Sequence, residues 1–345
     1  MNKKIKFVIV GFGNMGRDWV NILKGNSMVQ IAGVVDVLDK SLSDAIKTLS
    51  LNEKSVGKNL RKIISETKAD AVLNTSSPSS HSEIATIAIK MGCHVLGEKP
   101  MSLDLKEAKK LIKLSQNRKK IYMINQNYRW NPMAQAIKKF VSKGGLGNIH
   151  TVSINYSQNF NFKDTFRYSM DHPLLLDMAI HHFDLVRSVT GADFSKVYCI
   201  EYNTPGSRFK NGSSALAIFN ADNNLVFNYQ GSWGNLGGDT SFMGSWRISG
   251  EKGTIVWDGD SNPKIEFLDH RKIKSKKLKS VIIPQQDIFA YELNATLKKF
   301  ILSVTNRALP ETWCGDNIQT LKMVLGAIDS SKKSQPVNIP KLNIL

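Results

Sequence analysis

One hexapeptide, Gly11-Phe12-Gly13-Asn14-Met15-Gly16, constrains this chain more than any other stretch. It lies directly after the apolar run Ile5-Lys6-Phe7-Val8-Ile9-Val10 and directly before a helical pattern over 14–24. Strand, glycine turn and helix in that order open a βα unit of a parallel sheet, which is the context a GxGxxG string needs to have meaning. Each glycine then has its own task. Gly11 permits the tight turn, Gly13 lets the backbone approach a pyrophosphate, and Gly16 lets the helix pack closely on the strand. The first helical turn, around Asn14 and Met15, offers free N–H groups and a partial positive charge to phosphates. Asp36 closes a second strand-like run at 30–36, twenty residues after Gly16. A carboxylate there accepts hydrogen bonds from ribose hydroxyls and repels a 2′-phosphate. Val37 and Leu38 follow it, with no arginine to reverse the preference. The motif therefore predicts NAD as the cofactor, with NADP disfavoured.

The pattern downstream extends this unit. Strand-like runs at 70–74, 93–96 and 120–124 alternate with helical runs near 41–49, 59–66, 82–91 and 103–117. Alternation of this kind specifies a parallel sheet with helices on both faces. After Asn125 the texture changes. Helices are expected at 132–142, 173–189, 286–304 and 315–332. Strands are expected at 149–157, 196–203, 214–220, 224–232, 245–250, 253–257 and 264–268. Many strands with few intervening helices imply a large, mostly antiparallel open sheet with helices on one face. The fold class is thus α/β followed by α+β: an N-terminal Rossmann dinucleotide-binding domain over 1–124, and a substrate-binding and oligomerisation domain over 125–345.

Composition excludes several other classes. Cys93, Cys199 and Cys314 are widely spaced and form no CxxC pair, which argues against a thiolate zinc site and a disulfide framework and suits a reducing compartment. No apolar run approaches the roughly 18 residues of a membrane helix, so no membrane partner is expected. Lys3, Lys4 and Lys6 precede only Phe7–Val10 before Gly11 and Gly13 intervene, too short a stretch for a signal peptide, and the expected location is the cytoplasm. Forty-seven basic against 29 acidic residues give a net charge of +18, which raises nucleic-acid binding as a reading. The lysines are scattered, however, apart from Arg271, Lys272, Lys274, Lys276, Lys277 and Lys279 between two strand-like segments. That run reads as a solvated hairpin, and no zinc finger, helix-turn-helix or RNA motif accompanies it. No nucleic-acid partner is expected.

Four further blocks carry a resemblance. Glu98-Lys99-Pro100 follows the strand His94-Val95-Leu96, and Ser77-Pro78-Ser79-Ser80-His81 follows the strand before it. Asn125-Gln126-Asn127-Tyr128-Arg129-Trp130-Asn131-Pro132 stands at the domain junction, and Asp177-Met178-Ala179-Ile180-His181 lies in the second domain. Together, and in this order, they resemble the glucose–fructose oxidoreductase, inositol dehydrogenase and rhizopine catabolism (Gfo/Idh/MocA) family across essentially the whole chain. The resemblance implies hydride transfer between a nicotinamide and a hydroxyl or keto carbon of a sugar, cyclitol or sugar acid. It implies that Lys99 binds the reacting oxygen near the nicotinamide, that His181 is the general acid/base, and that Asp177 binds substrate or orients the base. It places Ser76, Pro78, His81, Glu98, Lys99 and Asn127 with the glycine motif and Asp36 at the cofactor. At the substrate it places Lys99, Arg129, Trp130, His172, Asp177 and His181, the two catalytic side chains reaching it from opposite sides of a cleft.

The chemistry agrees. Oxidising an alcohol needs a base with a pKa near the operating pH and a cation or donor at the oxygen, and histidine and lysine suit those tasks. Asp177, His181 and Asp184 fall on one helical face at spacings of four and three, beside an apolar face of Leu176, Ile180, Phe183 and Val186. That face could ligate a divalent metal. The resemblance points instead to metal-free chemistry, so no metal is expected, and His182 is expected to be structural. The sequence departs from the family where glycines commonly precede the Asp-x-x-x-His block: here Asp171-His172-Pro173 stands there, and Ala179 takes an internal glycine's place. His172 either touches substrate or caps the helix starting near Pro173. Asn159, Phe160, Asn161, Phe162, Arg167 and Tyr168 offer amides, an arginine and rings that suit hydroxyls, a carboxylate and a sugar's apolar face, although alternating aromatic and polar residues also describe an edge strand. An NAD-dependent glycosidase and a non-catalytic NAD-responsive regulator are the alternatives. Cleavage without net NADH marks the first, and the second has no use for Lys99, Asp177 and His181. Relatives pair through the open face of the second sheet, which implies a homodimer or homotetramer.

Overall fold

A computed structural model describes residues 4–159, 161–162, 166–268, 278–285 and 292–342. Phe160, the segment 271–277 of the basic run and the first part of the helix expected at 286–304 lie outside these residues. The chain divides into two compact units, Met1–Asn127 with Ala290–Leu321, and Tyr128–Phe289 with Lys322–Leu345. A single sequence boundary near 124 does not anticipate the return of 290–321 to the first unit, because a helix's apolar stripe does not say which sheet it will cover.

In the first unit six strands form one parallel sheet: β1 (Ile5–Val10), β2 (Val29–Val35), β3 (Val56–Gly57), β4 (Ala71–Asn74), β5 (His94–Gly97) and β6 (Tyr122–Ile124). Their spatial order is β3-β2-β1-β4-β5-β6. The order reverses between β1 and β4, so their connections leave in opposite directions and open a crevice at the strand C-termini, the ligand position of a doubly wound fold. The intervening helices are α1 (Asn14–Lys24), α2 (Asp39–Leu49), α3 (Leu60–Thr67), α4 (His81–Lys90) and α5 (Leu105–Asn117). Phe7, Val8 and Ile9 are fully buried, as both faces of a central parallel strand must be.

In the second unit α6 (Pro132–Ser142) starts on an Asn131 cap whose Oδ1 accepts from the Met133 and Ala134 N–H groups. The sheet comprises β7 (Ile149–Ser157), β8 (Phe194–Tyr202), β9 (Ser214–Ala221), β10 (Val226–Ser232), β11 (Ser245–Gly250), β12 (Gly253–Trp257), β13 (Lys264–Leu268) and β14 (Leu278–Ile282), completed at its edge by the late strand Val337–Asn338. The order is β14-β13-β12-β11-β7-β10-β9-β8 and then that edge strand, antiparallel except where β7 meets β10. One face carries the core. Val152, Ile154, Phe219, Phe227, Ile248 and Ile255 pack there with Ile180, Phe183 and Val186 of the helix α7 (Ile180–Thr190). The other face presents Tyr198 and Ile200 of β8 directly across from Ile218 and Leu216 of β9, all exposed.

Two helices complete the chain, α8 (Glu292–Asn306) and α9 (Cys314–Lys333), which begins in the first unit and ends in the second. In the first unit Phe300 of α8 meets Phe7 of β1 with ring centroids 5.6 Å apart. The helix expected across 173–189 is broken in character: Leu174–Ala179 is a π-helix that passes into α7. Apolar periodicity cannot distinguish the two, since the choice rests on one backbone hydrogen-bond partner. The two-residue strands at 56–57 and 337–338 are too short to show a pattern in the sequence, and β14 follows the basic run without a clear alternation of its own. Among the described residues no helix is long and apolar enough to cross a membrane.

Candidate active site

The glycine turn is shaped by close packing. Gly11 has φ +91°, and a Cβ there would lie 2.6 Å from the Thr75 carbonyl oxygen that follows β4. A Cβ on Gly16 would lie 2.2 Å from the Gly11 carbonyl oxygen, so helix and turn touch backbone to backbone. Gly13 differs: no atom lies within 4 Å of where its Cβ would stand. That open cradle sits at the N-cap of α1, where no side chain caps the first-turn N–H groups. An uncapped helix start beside open space fits a pyrophosphate. Asp36 sits at its edge, its Oδ2 accepting from the Phe12 N–H at 2.7 Å and its Oδ1 from the Leu38 N–H at 2.8 Å. These bonds aim a carboxylate whose remaining lone pairs suit ribose hydroxyls.

Several predicted cofactor residues turn out to build the site. The Phe12 side chain is fully buried, with the Arg17 guanidinium 4.9 Å from its ring centroid, so only its backbone faces the turn. Met15 is exposed. His81 is buried with Nδ1 2.7 Å from the Pro100 carbonyl oxygen and Nε2 3.0 Å from that of Ser76. The neutral ring donates to one of these carbonyls and lies against the other, so His81 braces the loop after β4 against the loop after β5. Burial is the largest influence on its pKa and lowers it, against the opposing pull of the two carbonyls. Ser76 donates its hydroxyl to Asn74 Oδ1 at 2.7 Å, and Pro78 opens the short turn Pro78–Ser80. Glu98, predicted to touch cofactor, is buried and points inward: its Oε1 accepts from Trp19 Nε1 at 2.8 Å and from Asn125 Nδ2 at 2.9 Å. A carboxylate between two deep donors is held by them, and a lone "EKP" string carries no sign of that. Lys99 follows, half-buried, at the end of β5. Asn127 opens the turn Asn127–Trp130.

Asp177 and His181, expected to serve as the acid/base residues, lie in the second unit. Asp177 falls within the π-helix and His181 at the start of α7. The His181 ring is buried and stacks on Tyr128 with centroids 4.6 Å apart and planes 20° apart. Tyr128 was not singled out in the sequence, although it belongs to the junction block. Asp177 accepts from Arg167 Nε at 2.6 Å. Arg129 grips Asp184 with Nε at 2.6 Å and Nη2 at 2.8 Å, both side chains deeply buried. Arg129, expected at the substrate, thus turns Nε and Nη2 onto this carboxylate. Trp130 is likewise buried. Among the described residues no three histidine, cysteine or acidic side chains are grouped to hold a metal.

His172 adopts φ +52°, a left-handed conformation that glycine reaches without a steric cost. Its side chain does not cap the helix. Nδ1 lies 2.6 Å from Glu201 Oε2, in the wall of a cavity of about 540 Å³ that neither Asp177 nor His181 lines. His182 is fully buried, with Nε2 3.0 Å from the Phe242 carbonyl oxygen and Nδ1 3.2 Å from the Tyr229 hydroxyl. The neutral ring satisfies both contacts by donating to the carbonyl and accepting from the hydroxyl.

Residues 5–126 match the oxidoreductase family, NAD-binding Rossmann fold (GFO/IDH/MocA), and residues 134–256 match the GFO/IDH/MocA C-terminal domain. The chain belongs to this family of NAD-binding oxidoreductases. An uncharacterised protein of Sinorhizobium fredii is 23% identical over 97% of this chain and 95% of its own. Myo-inositol 2-dehydrogenase of Thermotoga maritima is 27% identical, in a match that spans 55% of this chain and 56% of that enzyme. Two solved structures, each 17% identical, share the fold. An Agrobacterium radiobacter oxidoreductase in complex with NAD+, L-tartaric acid and magnesium has a TM-score of 0.84, covering 98% of this chain and 99% of that one. Levoglucosan dehydrogenase in complex with NADH and L-sorbose has a TM-score of 0.81, covering 99% and 100%.

The buried His182 makes a pH-dependent contribution of defined sign. Burial lowers its pKa from 6.5 to about 4, so the unfolded chain takes up the proton first as pH falls. Its contribution is complete above about pH 6.5 and is lost toward pH 4, by on the order of 3 kcal/mol. Urea unfolding between pH 7.5 and 4.5 is expected to show this decline, and His182→Gln to flatten it. An equally steep decline in the variant would exclude His182 as the cause.

Proposed function

We propose that this chain is a dehydrogenase that oxidises a secondary hydroxyl of a sugar, cyclitol or sugar acid, with NAD preferred over NADP. The bound nicotinamide supplies the hydride acceptor. Lys99 donates a hydrogen bond to the reacting hydroxyl oxygen and favours the charge that grows there. His181 takes the hydroxyl proton as the carbon–hydrogen bond breaks, and returns it in the reverse direction. Asp177 orients the substrate or the imidazole. The observation that carries this reading is the place of Lys99 in the parallel sheet, at the C-terminal end of β5, two strands from the strand that leads into the glycine turn. Ligands of a doubly wound fold bind along that edge.

Purified protein with NAD and a panel of inositols, hexoses and sugar acids is expected to generate NADH absorbance. Lys99→Ala is expected to lower kcat by about 10³-fold, within the usual range for a positioned proton-transfer or oxyanion-stabilising group, while NAD binding by calorimetry persists. Turnover within tenfold of the parent would remove Lys99 from the chemistry. Asp36 supports the cofactor preference, because a 2′-phosphate would meet its carboxylate. The kcat/KM ratio is expected to favour NAD over NADP by about 10²-fold, and Asp36→Ala to narrow it. A parent enzyme that prefers NADP would defeat this assignment.

A homo-oligomer joined through the outer face of β8 and β9 completes the reading. Ile200 (45% exposed) pairs with Leu216 (43%), and Tyr198 (38%) with Ile218 (49%), making a contiguous apolar patch that suits a second copy of the same patch. Light scattering is expected to give a multiple of 38.5 kDa, and Ile218→Lys to lower it. A monomer at about 50 µM, where obligate pairs persist, would refute the pairing.

A further inference from the structure

Arg167 has a use beyond its bond to Asp177. Its guanidinium is fixed from two directions. Nε donates to Asp177 Oδ2 at 2.6 Å, while the planar group lies 4.9 Å from the Phe162 ring centroid and 5.2 Å from that of Phe166. The first of these rings is itself anchored. Phe162 meets Trp233 edge-on at 4.9 Å and Phe209 at 6.1 Å. Its backbone N–H donates to the Tyr168 hydroxyl at 2.9 Å, and that hydroxyl donates to Asn161 Oδ1 at 3.1 Å. Phe162, one side of the shelf under the arginine, therefore packs against the second unit's core, while Phe166 is exposed.

The arginine is not spent by these contacts. Its side chain keeps 27% exposure, and among the described residues its two terminal amino groups have no protein acceptor. The contrast with Arg129 is direct: that side chain is 6% exposed and has turned Nε and Nη2 onto one carboxylate. An arginine held by Nε alone presents its outer edge, two parallel donors and most of a positive charge, to whatever approaches. That edge matches a carboxylate or a phosphate bidentately, which an ammonium or an amide cannot do. Fixing the group beforehand removes much of the entropic cost of ordering a long side chain on binding.

We infer that Arg167 is a specificity-determining residue that selects a polyhydroxylated substrate bearing an oxyanion, a carboxylate or a phosphate, over a neutral one. The inference rests on reading Asp177 and His181 as the substrate's acid/base site. It narrows the substrate from polyols in general to sugar acids or sugar phosphates. In this arrangement the anion docks on the outer edge of Arg167, whose Nε stays on Asp177. A neutral sugar would leave that edge to water and gain nothing from it.

Two measurements test this, with D-gluconate and D-glucose 6-phosphate as anionic probes, and D-glucose and myo-inositol as neutral ones. In NADH formation the parent is expected to favour one anionic probe, the stronger arm naming carboxylate or phosphate. Arg167→Ala is expected to lose about 10²-fold more in kcat/KM on that probe than on the neutral pair, the extra loss falling mainly on KM. Arg167→Lys, which keeps charge but not the fork, is expected to recover part of the loss. In calorimetry on the NADH-loaded protein, the same anionic probe is expected to bind the parent and to lose that binding in Arg167→Ala. Selective binding without turnover of any probe would uphold Arg167 while refuting the dehydrogenase reading. Equal handling of anionic and neutral probes, or an Arg167→Ala loss that is the same for both, would reduce Arg167 to a structural partner of Asp177 and leave the dehydrogenase reading standing.

Discussion

A single buried carboxylate organises the nucleotide half of this protein. Glu98 draws together the indole of Trp19 on α1 and the amide of Asn125 beyond β6, and Asn125 in turn accepts the hydroxyl of Thr296 on α8 at 3.0 Å. Helix, sheet edge and a late helix thus meet at one anion. Hydrogen bonds to a charged group are worth about 1.5–3 kcal/mol each, and removing either donor would leave a charge unsatisfied in the interior. The consequence for chemistry is one of direction. The Glu98 backbone N–H is held on the Asn74 carbonyl oxygen at 2.9 Å while its side chain turns inward, which fixes the chain direction from which Lys99 departs.

The second unit uses paired charges in the same spirit. Arg129 with Asp184 and Arg167 with Asp177 each tie a turn to α7 or to the π-helix. Buried pairs add little net stability after desolvation, but a wrong arrangement would strand a charge. Their effect is to permit one placement of the π-helix and α7, and with it one placement of Asp177 and His181. The neutral, core-bound His182 completes the contrast: two adjacent histidines differ in role because one stacks on Tyr128 and the other is spent on Tyr229 and Phe242.

Much of this architecture is legible in local pattern. The glycine turn, Asp36 and the alternating strands and helices of the first unit follow from spacing, since a buried parallel strand must be continuously apolar and a dinucleotide turn must be glycine. The strands β7, β11, β12 and β13 fall where alternation puts them, because one face of that sheet is buried and the other is not. His182 as a structural residue was within reach of residue chemistry alone.

Partnership was not within reach. Nothing in the order of residues says that Glu98 looks inward, that His81 lies between two carbonyls, that Phe12 is core, or that Arg129 closes on Asp184 fifty-five positions away. Nor does it distinguish a π-turn from an α-turn at 174–179, or send α8 back to the first sheet. Periodicity reports which side of a segment avoids water, and motif spacing reports which backbone shapes are possible. Which polar group satisfies which other depends on segments distant in the chain being brought within about 3 Å, and only packing in three dimensions does that.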